Sequence, residues 1–368
     1  MAEVDGNRTR RTGIARPNRF EGGGAHQVPG HLRPSPYRHH VAAVQRVWSA
    51  AMGDVLFCSD DFWDACGDQL VAIDPSIEVV RLVGDEHVTP GDLDRVTIAI
   101  FSADLYPLRS SQFMGACVRC PNLTWFQGAF AGTDHPVFQS LIERGVQFNT
   151  GSGATAPAIA ETVMMYLLAL SRDLPAMLRD QASRRWNKRR VVELAGLKLG
   201  IIGFGAIGHE VATRATALGM DVIGLRRTPD PADPFETWDN DRFDELLGWA
   251  DAIVVAAPLT DSTRGMFDAD AFARMKPGAW FVNVGRGPIV DEPALIDALM
   301  SGHLGGAGLD VFDVEPLPVE SPLWELPNVI VTAHCSGDSD ASDVRATEII
   351  LENFRRRAAG EPLLNPVG

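Results

Sequence analysis

Three ionisable side chains stand in loops that directly follow short apolar runs: Arg286 in NVGRGPIVDEPAL, Glu315 in GLDVFDVEPLP and His334 in VIVTAHCSG. If those runs are parallel strands, the three loops lie at the ligand-binding end of one sheet. A guanidinium can hold a carboxylate and a carbonyl oxygen, an imidazole can exchange a proton near neutral pH, and a carboxylate beside the ring can fix its tautomer. Together they are the set that reduction of a keto acid to a hydroxy acid needs. Singly, each has a plainer reading: a surface turn for Arg286 between two glycines, a loop acid for Glu315 before Pro316, a helix cap or core histidine for His334. Coincidence of all three at strand ends favours the chemical reading.

Such a reduction needs a hydride donor, and the stretch Leu197 to Asp230 offers a place for one. An apolar run, Leu199 to Ile202, leads into Gly203, Gly205 and Gly208 at G-x-G-x-x-G spacing, then a small-residue helix, then a second apolar run, Met220 to Leu225. Strand, tight turn, helix and strand form the context that gives this otherwise weak motif its meaning. Gly203 permits the turn, Gly205 lets a pyrophosphate approach the backbone, Gly208 lets the helix pack on the strand, and the helix start faces the phosphates. Ala206 and Ile207 fill the rest of the turn. About 20 residues past the glycines, where a carboxylate would hold an adenine-ribose 2′-hydroxyl, stand Arg226, Arg227 and Thr228. Two guanidiniums and a hydroxyl suit a 2′-phosphate, so NADP(H) is the first expectation and NAD the second. The bland alternative is a pair of solvated arginines.

The elements that must carry these residues are legible as an alternation of short strands and amphipathic helices. Strands are expected at VLFC, EVVRLV, TIAIFS, LTWFQ and VQFNT before the helix Ala156 to Leu170, and at AIVVAAP, WFVNV, GAGLDVF and VIVTA after the glycine turn. The alternation argues an α/β fold of two Rossmann-like domains with parallel sheets and a cleft between them. Residues 51–153 with 335–368 are expected to form the substrate domain, and 154–334 the dinucleotide-binding domain. The last helix, Ser342 to Ala358, follows a complete nucleotide domain and is expected to return to the first one.

The 368 residues suffice for two cores, and the net charge of −15 disfavours a nucleic-acid partner. No uninterrupted apolar run reaches bilayer length; Ala154 to Leu170 contains Glu161 and Pro157 and reads as a buried helix. Five cysteines accompany no secretory signal, which makes a reduced cytoplasm the expectation. Cys117 and Cys120 form C-x-x-C without a second ligand pair, so they read as structural thiols rather than a metal site. Residues 1–50 hold eight Arg against Glu3, Asp5 and Glu21, with almost no apolar periodicity; the expectation is a disordered head and not a transit peptide. Since the first strand follows Met52 almost directly, one reading makes the head an over-extended start of translation.

From Val55 to Leu364 the chain resembles the D-isomer-specific 2-hydroxyacid dehydrogenases, of the glyoxylate/hydroxypyruvate reductase kind. The resemblance rests on GFGAIG, APLTDSTRGMFD, MKPGAWFVNVGRGPIVDEPAL, GLDVFDVEPLP, SPLWELPNVIVTAH and ENFRRRAAGEPLLN, in that order. It implies Arg286 as the substrate-binding arginine, Glu315 as the acid partner and His334 as the acid/base. Asp310 would meet the nicotinamide carboxamide, and the backbone N–H groups of Ala131 and Gly132, in FQGAFAGTD, would hold the substrate carboxylate. Pro258, Thr263 and Val284 complete the cofactor set. A homodimer through the nucleotide domain is implied, with the helix from Ala154 to Leu170 offering Val163, Met164, Tyr166, Leu167 and Leu170. The sequence departs from the family at Ala333, where proline is usual, and in the following CSGDSD; Phe130 is expected to wall the substrate pocket. Two other activities share the fold: formate or phosphite oxidation, where the formate enzymes pair the histidine with glutamine instead of Glu315, and non-enzymatic dinucleotide sensing as in corepressors.

Overall fold

The computed structural model describes residues 53–84 and 86–367; the head expected over 1–50, and Met52 with it, lies outside them. Thirteen strands occur among the described residues: β1 Val55–Ser59, β2 Glu78–Leu82, β3 Ile98–Phe101, β4 Trp125–Gly128, β5 Gln147–Asn149, β6 Lys198–Ile202, β7 Asp221–Leu225, β8 Glu236–Trp238, β9 Ala252–Val255, β10 Trp280–Asn283, β11 Gly306–Leu309, β12 Val329–Val331 and β13 Pro366–Val367. They form two sheets, ordered β13-β5-β4-β3-β1-β2 and β12-β11-β10-β9-β6-β7-β8. Every pairing is parallel except that of β13 with β5. The architecture is the expected α/β one.

Strands buried on both faces explain the continuous apolar runs. In β9, Ala252 and Val254 enter one core while Ile253 and Val255 enter the other, and β1 divides Val55 and Phe57 from Leu56 and Cys58 in the same way. In the second sheet the chain starts at β6, steps outward to β7 and β8, then returns to β9 on the other side. The reversal lies between β6 and β9, and ligands of open α/β sheets bind beyond the carboxyl ends of the strands at such a point. The glycine turn follows β6.

The long closing helix spans Asp340–Ala359, capped by the Ser339 hydroxyl at its start and by Gly360 in the left-handed region at its end. Ile350, Leu351 and Phe354 bury against Leu56, Phe62 and Trp125, which fixes this helix on the first sheet. Asn353 donates to Gln127 Oε1 at 2.6 Å and accepts from the Leu364 N–H at 2.6 Å, tying the tail to β4. The helix Ala156–Ser171 instead serves the second sheet: Val163, Tyr166 and Leu167 join the core around Leu199 and Ile201. Its exposed side chains are Glu161, Met165 and Leu168. The apolar surface it offers outward is therefore different from the one expected.

Cys117 and Cys120 are buried at the end of the helix Ser110–Arg119, and burial pushes the Cys120 thiol up to about 11. Both are core thiols. Among the described residues no helix is long and apolar enough to cross a membrane.

Candidate active site

His334 follows β12 with a φ of 50°, and its backbone N–H donates to the Asp310 carbonyl at 2.8 Å. The ring Nδ1 lies 2.7 Å from Glu315 Oε2. Glu315 is itself held, since its Oε1 accepts the Phe312 N–H at 2.9 Å. The Phe312 carbonyl in turn packs on the α-carbon of Gly287, where a built Cβ would come within 1.8 Å of it. Arg286 is the preceding residue. A continuous chain of contacts therefore joins Arg286–Gly287, Phe312, Glu315 and His334, and it explains both glycines around Arg286: a Cβ on Gly285 would meet the Ala257 carbonyl at 2.7 Å. The loop is a packed one and not a free surface turn.

An ionised carboxylate only accepts, so the Glu315 bond places a hydrogen on His334 Nδ1 and leaves Nε2 as the nitrogen that can take up or release a proton. The His334 side chain is 48% exposed and that of Glu315 35%, so the pair is open to a ligand.

Asp310, expected at the nicotinamide, is fully buried. Its Oδ1 accepts the Thr332 hydroxyl and, at 3.0 Å, the Cys335 N–H, while Oδ2 accepts the Ser336 N–H at 3.1 Å. Tyr166 hydrogen-bonds Thr332 from behind. The carboxylate thus fastens both sides of the His334 turn, and Oδ2, with one bond, keeps acceptor capacity.

Ala131 and Gly132 lie in the loop after β4, and Gly132 sits under the Arg286 guanidinium, where a Cβ would fall 2.0 Å from Nη2. Arg286 Nε and Nη2 each lie 3.3 Å from the carboxylate of Asp134 in the same loop. Burial pushes the Asp134 carboxyl up, but the adjoining Arg286 outweighs it and holds it below the usual range. The loop of Ala131 and Gly132, expected to hold the substrate, and the arginine are therefore brought together, at Gly132 and through an acid that the sequence did not single out. Phe130, expected as a pocket wall, stacks its ring on Phe138 at 4.6 Å within the aromatic cluster of the first sheet.

The glycine turn fits a dinucleotide. Gly203 has φ +89° and a Cβ there would strike Ala257, a Cβ on Gly208 would come within 2.9 Å of the Gly203 carbonyl, and the side of Gly205 is open, with nothing within 4 Å of a built Cβ. Gly205 caps the helix Ala206–Ala217 without a side-chain hydrogen bond. The N–H groups at Ala206 and Ile207 thus belong to a helix start that no side chain caps, ready for an anion. Thr263 turns its hydroxyl to the Pro258 carbonyl at 2.8 Å, and Val284 buries its side chain in the core, leaving only its backbone for a ligand.

Beyond β7, Arg227 and Thr228 are exposed. Arg226 is not: its side chain is 14% exposed and Nη1 lies 3.4 Å from Asp233 Oδ2. The same oxygen is 2.7 Å from His209 Nε2, and His209 Nδ1 is 2.8 Å from the Gly205 carbonyl. Sequence reasoning missed Asp233 and His209; neither has a spacing that marks it.

A glycine turn at the switch point of a parallel sheet, with an arginine and a carboxylate-held histidine at neighbouring strand ends, defines a nucleotide-linked α/β fold of two Rossmann-like sheets. Residues 164–336 match the family model of the D-isomer specific 2-hydroxyacid dehydrogenase, NAD binding domain. A hydroxypyruvate reductase of Thermotoga maritima is 36% identical over 276 residues, 73% of this chain and 88% of that protein. A D-3-phosphoglycerate dehydrogenase of Mycobacterium bovis is 34% identical over 301 residues; the match takes in 79% of this chain but only 57% of that relative's length. Among solved structures, a D-isomer specific 2-hydroxyacid dehydrogenase from Xanthobacter autotrophicus Py2, in complex with NADPH and MES, superposes with a TM-score of 0.71 at 35% identity, covering 86% of this chain and 98% of that one. The chain belongs to the D-isomer specific 2-hydroxyacid dehydrogenase family.

Proposed function

We propose that the protein reduces a small 2-keto acid to its D-2-hydroxy acid with NADPH, as a glyoxylate/hydroxypyruvate-type reductase. The observation that carries this is the 2.7 Å bond between His334 and a Glu315 that is itself anchored to the backbone beside Arg286. NADPH, when bound, supplies the hydride. His334, protonated at Nε2, gives its proton to the keto oxygen, while Glu315 keeps the ring's orientation and tautomer. Arg286, with the N–H groups of Ala131 and Gly132, holds the substrate carboxylate and steadies the negative charge that develops on oxygen. Asp310, fully buried, secures the His334 turn.

Arg226, Arg227 and Thr228 support the choice of NADPH, and so does the NADPH bound by the Xanthobacter protein. NADPH and NADH oxidation followed with glyoxylate, hydroxypyruvate and pyruvate tests the proposal: a keto acid must be reduced, faster with NADPH, to a product of D configuration. Loss of neither dinucleotide with any of the three contradicts it.

The protein is further proposed to be a homodimer. Met165 and Leu168 on the helix Ala156–Ser171 and Leu174, Met177 and Leu178 on the next one are exposed, with Trp186 beyond them 93% exposed. A cytoplasmic location is proposed from the five unpaired thiols.

A further inference from the structure

We infer that Asp134 is a positioning residue of the substrate site, which turns the Arg286 guanidinium so that its end-on pair of N–H groups faces the bound carboxylate. The inference rests on the substrate role proposed for Arg286 and adds the residue that aims it. A guanidinium carries five N–H groups in a rigid planar fork. Asp134 takes the side-on edge, with Nε 3.3 Å from Oδ2 and Nη2 3.3 Å from Oδ1. The Gly285 carbonyl accepts from Nη1 at 2.8 Å. These three bonds leave one N–H on each terminal nitrogen, and a carboxylate can accept from the two terminal nitrogens as a bidentate pair.

Two further features make the arrangement a support and not a casual surface ion pair. Gly132 lies against Nη2, where a Cβ would displace the guanidinium, so the arginine rests on the loop that carries Asp134. Asp134 and Arg286 also belong to different sheets, following β4 and β10 respectively, so the bond joins the loop offering N–H groups to a substrate carboxylate with the residue offering the guanidinium.

The test measures binding of oxamate, a monoanionic stand-in for a 2-keto acid, to the protein saturated with NADPH, alongside hydroxypyruvate reduction. Asp134→Ala is expected to weaken oxamate and lower kcat/KM by about tenfold, the scale of a modest loss of orientation, with the NADPH Kd kept within about twofold. Asp134→Asn, which keeps one acceptor oxygen, should fall between Ala and the parent and guards against a folding effect. In an Arg286→Ala background the Asp134→Ala change should add nothing, because the residue acts through the arginine. Oxamate binding unchanged or tightened in Asp134→Ala, or weakened equally in the Arg286→Ala background, overturns the inference. Absence of keto acid reduction by the parent protein overturns the reading of the site itself, a different outcome.

Discussion

The Arg226 guanidinium lies 3.4 Å from the Asp233 carboxylate, whose side chain is only 4% exposed and which also takes Nε2 of His209. At the end of β7 one buried carboxylate therefore holds both the Arg226 guanidinium and the His209 ring. A 2′-phosphate there would meet Arg227 from solvent and Arg226 held at a fixed angle. Arg226→Asp with Arg227→Ser should weaken NADPH by at least about tenfold more than NADH, since each lost charge-assisted bond is worth roughly 1.5–3 kcal/mol. Equilibrium titration of both dinucleotides checks it; an unaltered ratio would remove the 2′-phosphate assignment.

Gly287 couples the loop of Arg286 to that of Glu315. A Cβ there would press within 1.8 Å of the Phe312 carbonyl, so Gly287→Ala must push the two loops apart. Overpacking of this kind costs about 1–3 kcal/mol, and the displaced Phe312 N–H would no longer fix Glu315. Lowered Tm together with a fall in kcat is the expected result, read by calorimetry and by steady-state kinetics.

Asp251 accepts the Lys198 N–H at 2.9 Å and the Lys276 ammonium at 2.7 Å, joining the starts of β6 and β9. Burial pushes its carboxyl up, but these partners outweigh that and hold it below the ordinary 3.8. A folded-state value below the unfolded one contributes stability that is complete above the unfolded value and is lost as pH falls through the folded one. Asp251→Asn should lower Tm at pH 7 by roughly 2–4 °C, the effect of about 1 kcal/mol in a domain of this size. The gap to the parent should close as pH falls below 3.8; melting curves across pH decide the point.

For the proposed dimer, light scattering at micromolar concentration should give about twice the 39.9 kDa of one chain. Met165→Lys with Leu168→Lys should shift the mass toward one chain. A single-chain mass for the unaltered protein would contradict the assembly.

Much of the fold was legible because apolar runs such as AIVV of β9 are buried on both faces, and because Gly203, with its positive φ, and Gly208, with no space for a Cβ beside the Gly203 carbonyl, each have a backbone reason to be glycine. The short strands β8, Glu-Thr-Trp, and β13, Pro-Val, escaped notice since neither lies in an apolar run, whereas β12, just as short as β8, does. At the site, Arg286, Glu315 and His334 could be found from their places after strands. Asp134 could not, because its partner is 152 residues away and only the folded chain brings the two together. Asp310 shows the converse: only the family resemblance implied a ligand contact for it, whereas the convergence of Thr332, Cys335 and Ser336 on its carboxylate is a property of the folded turn.

The central claim is that His334, oriented by Glu315, delivers the proton during keto acid reduction. Reduction of hydroxypyruvate by His334→Ala, measured beside NADPH binding to the same protein, tests it most directly. The account predicts a kcat lower by roughly 10²–10⁴-fold, the scale for losing a general acid, with NADPH affinity retained. A variant that binds NADPH and turns over at the parent rate would contradict it.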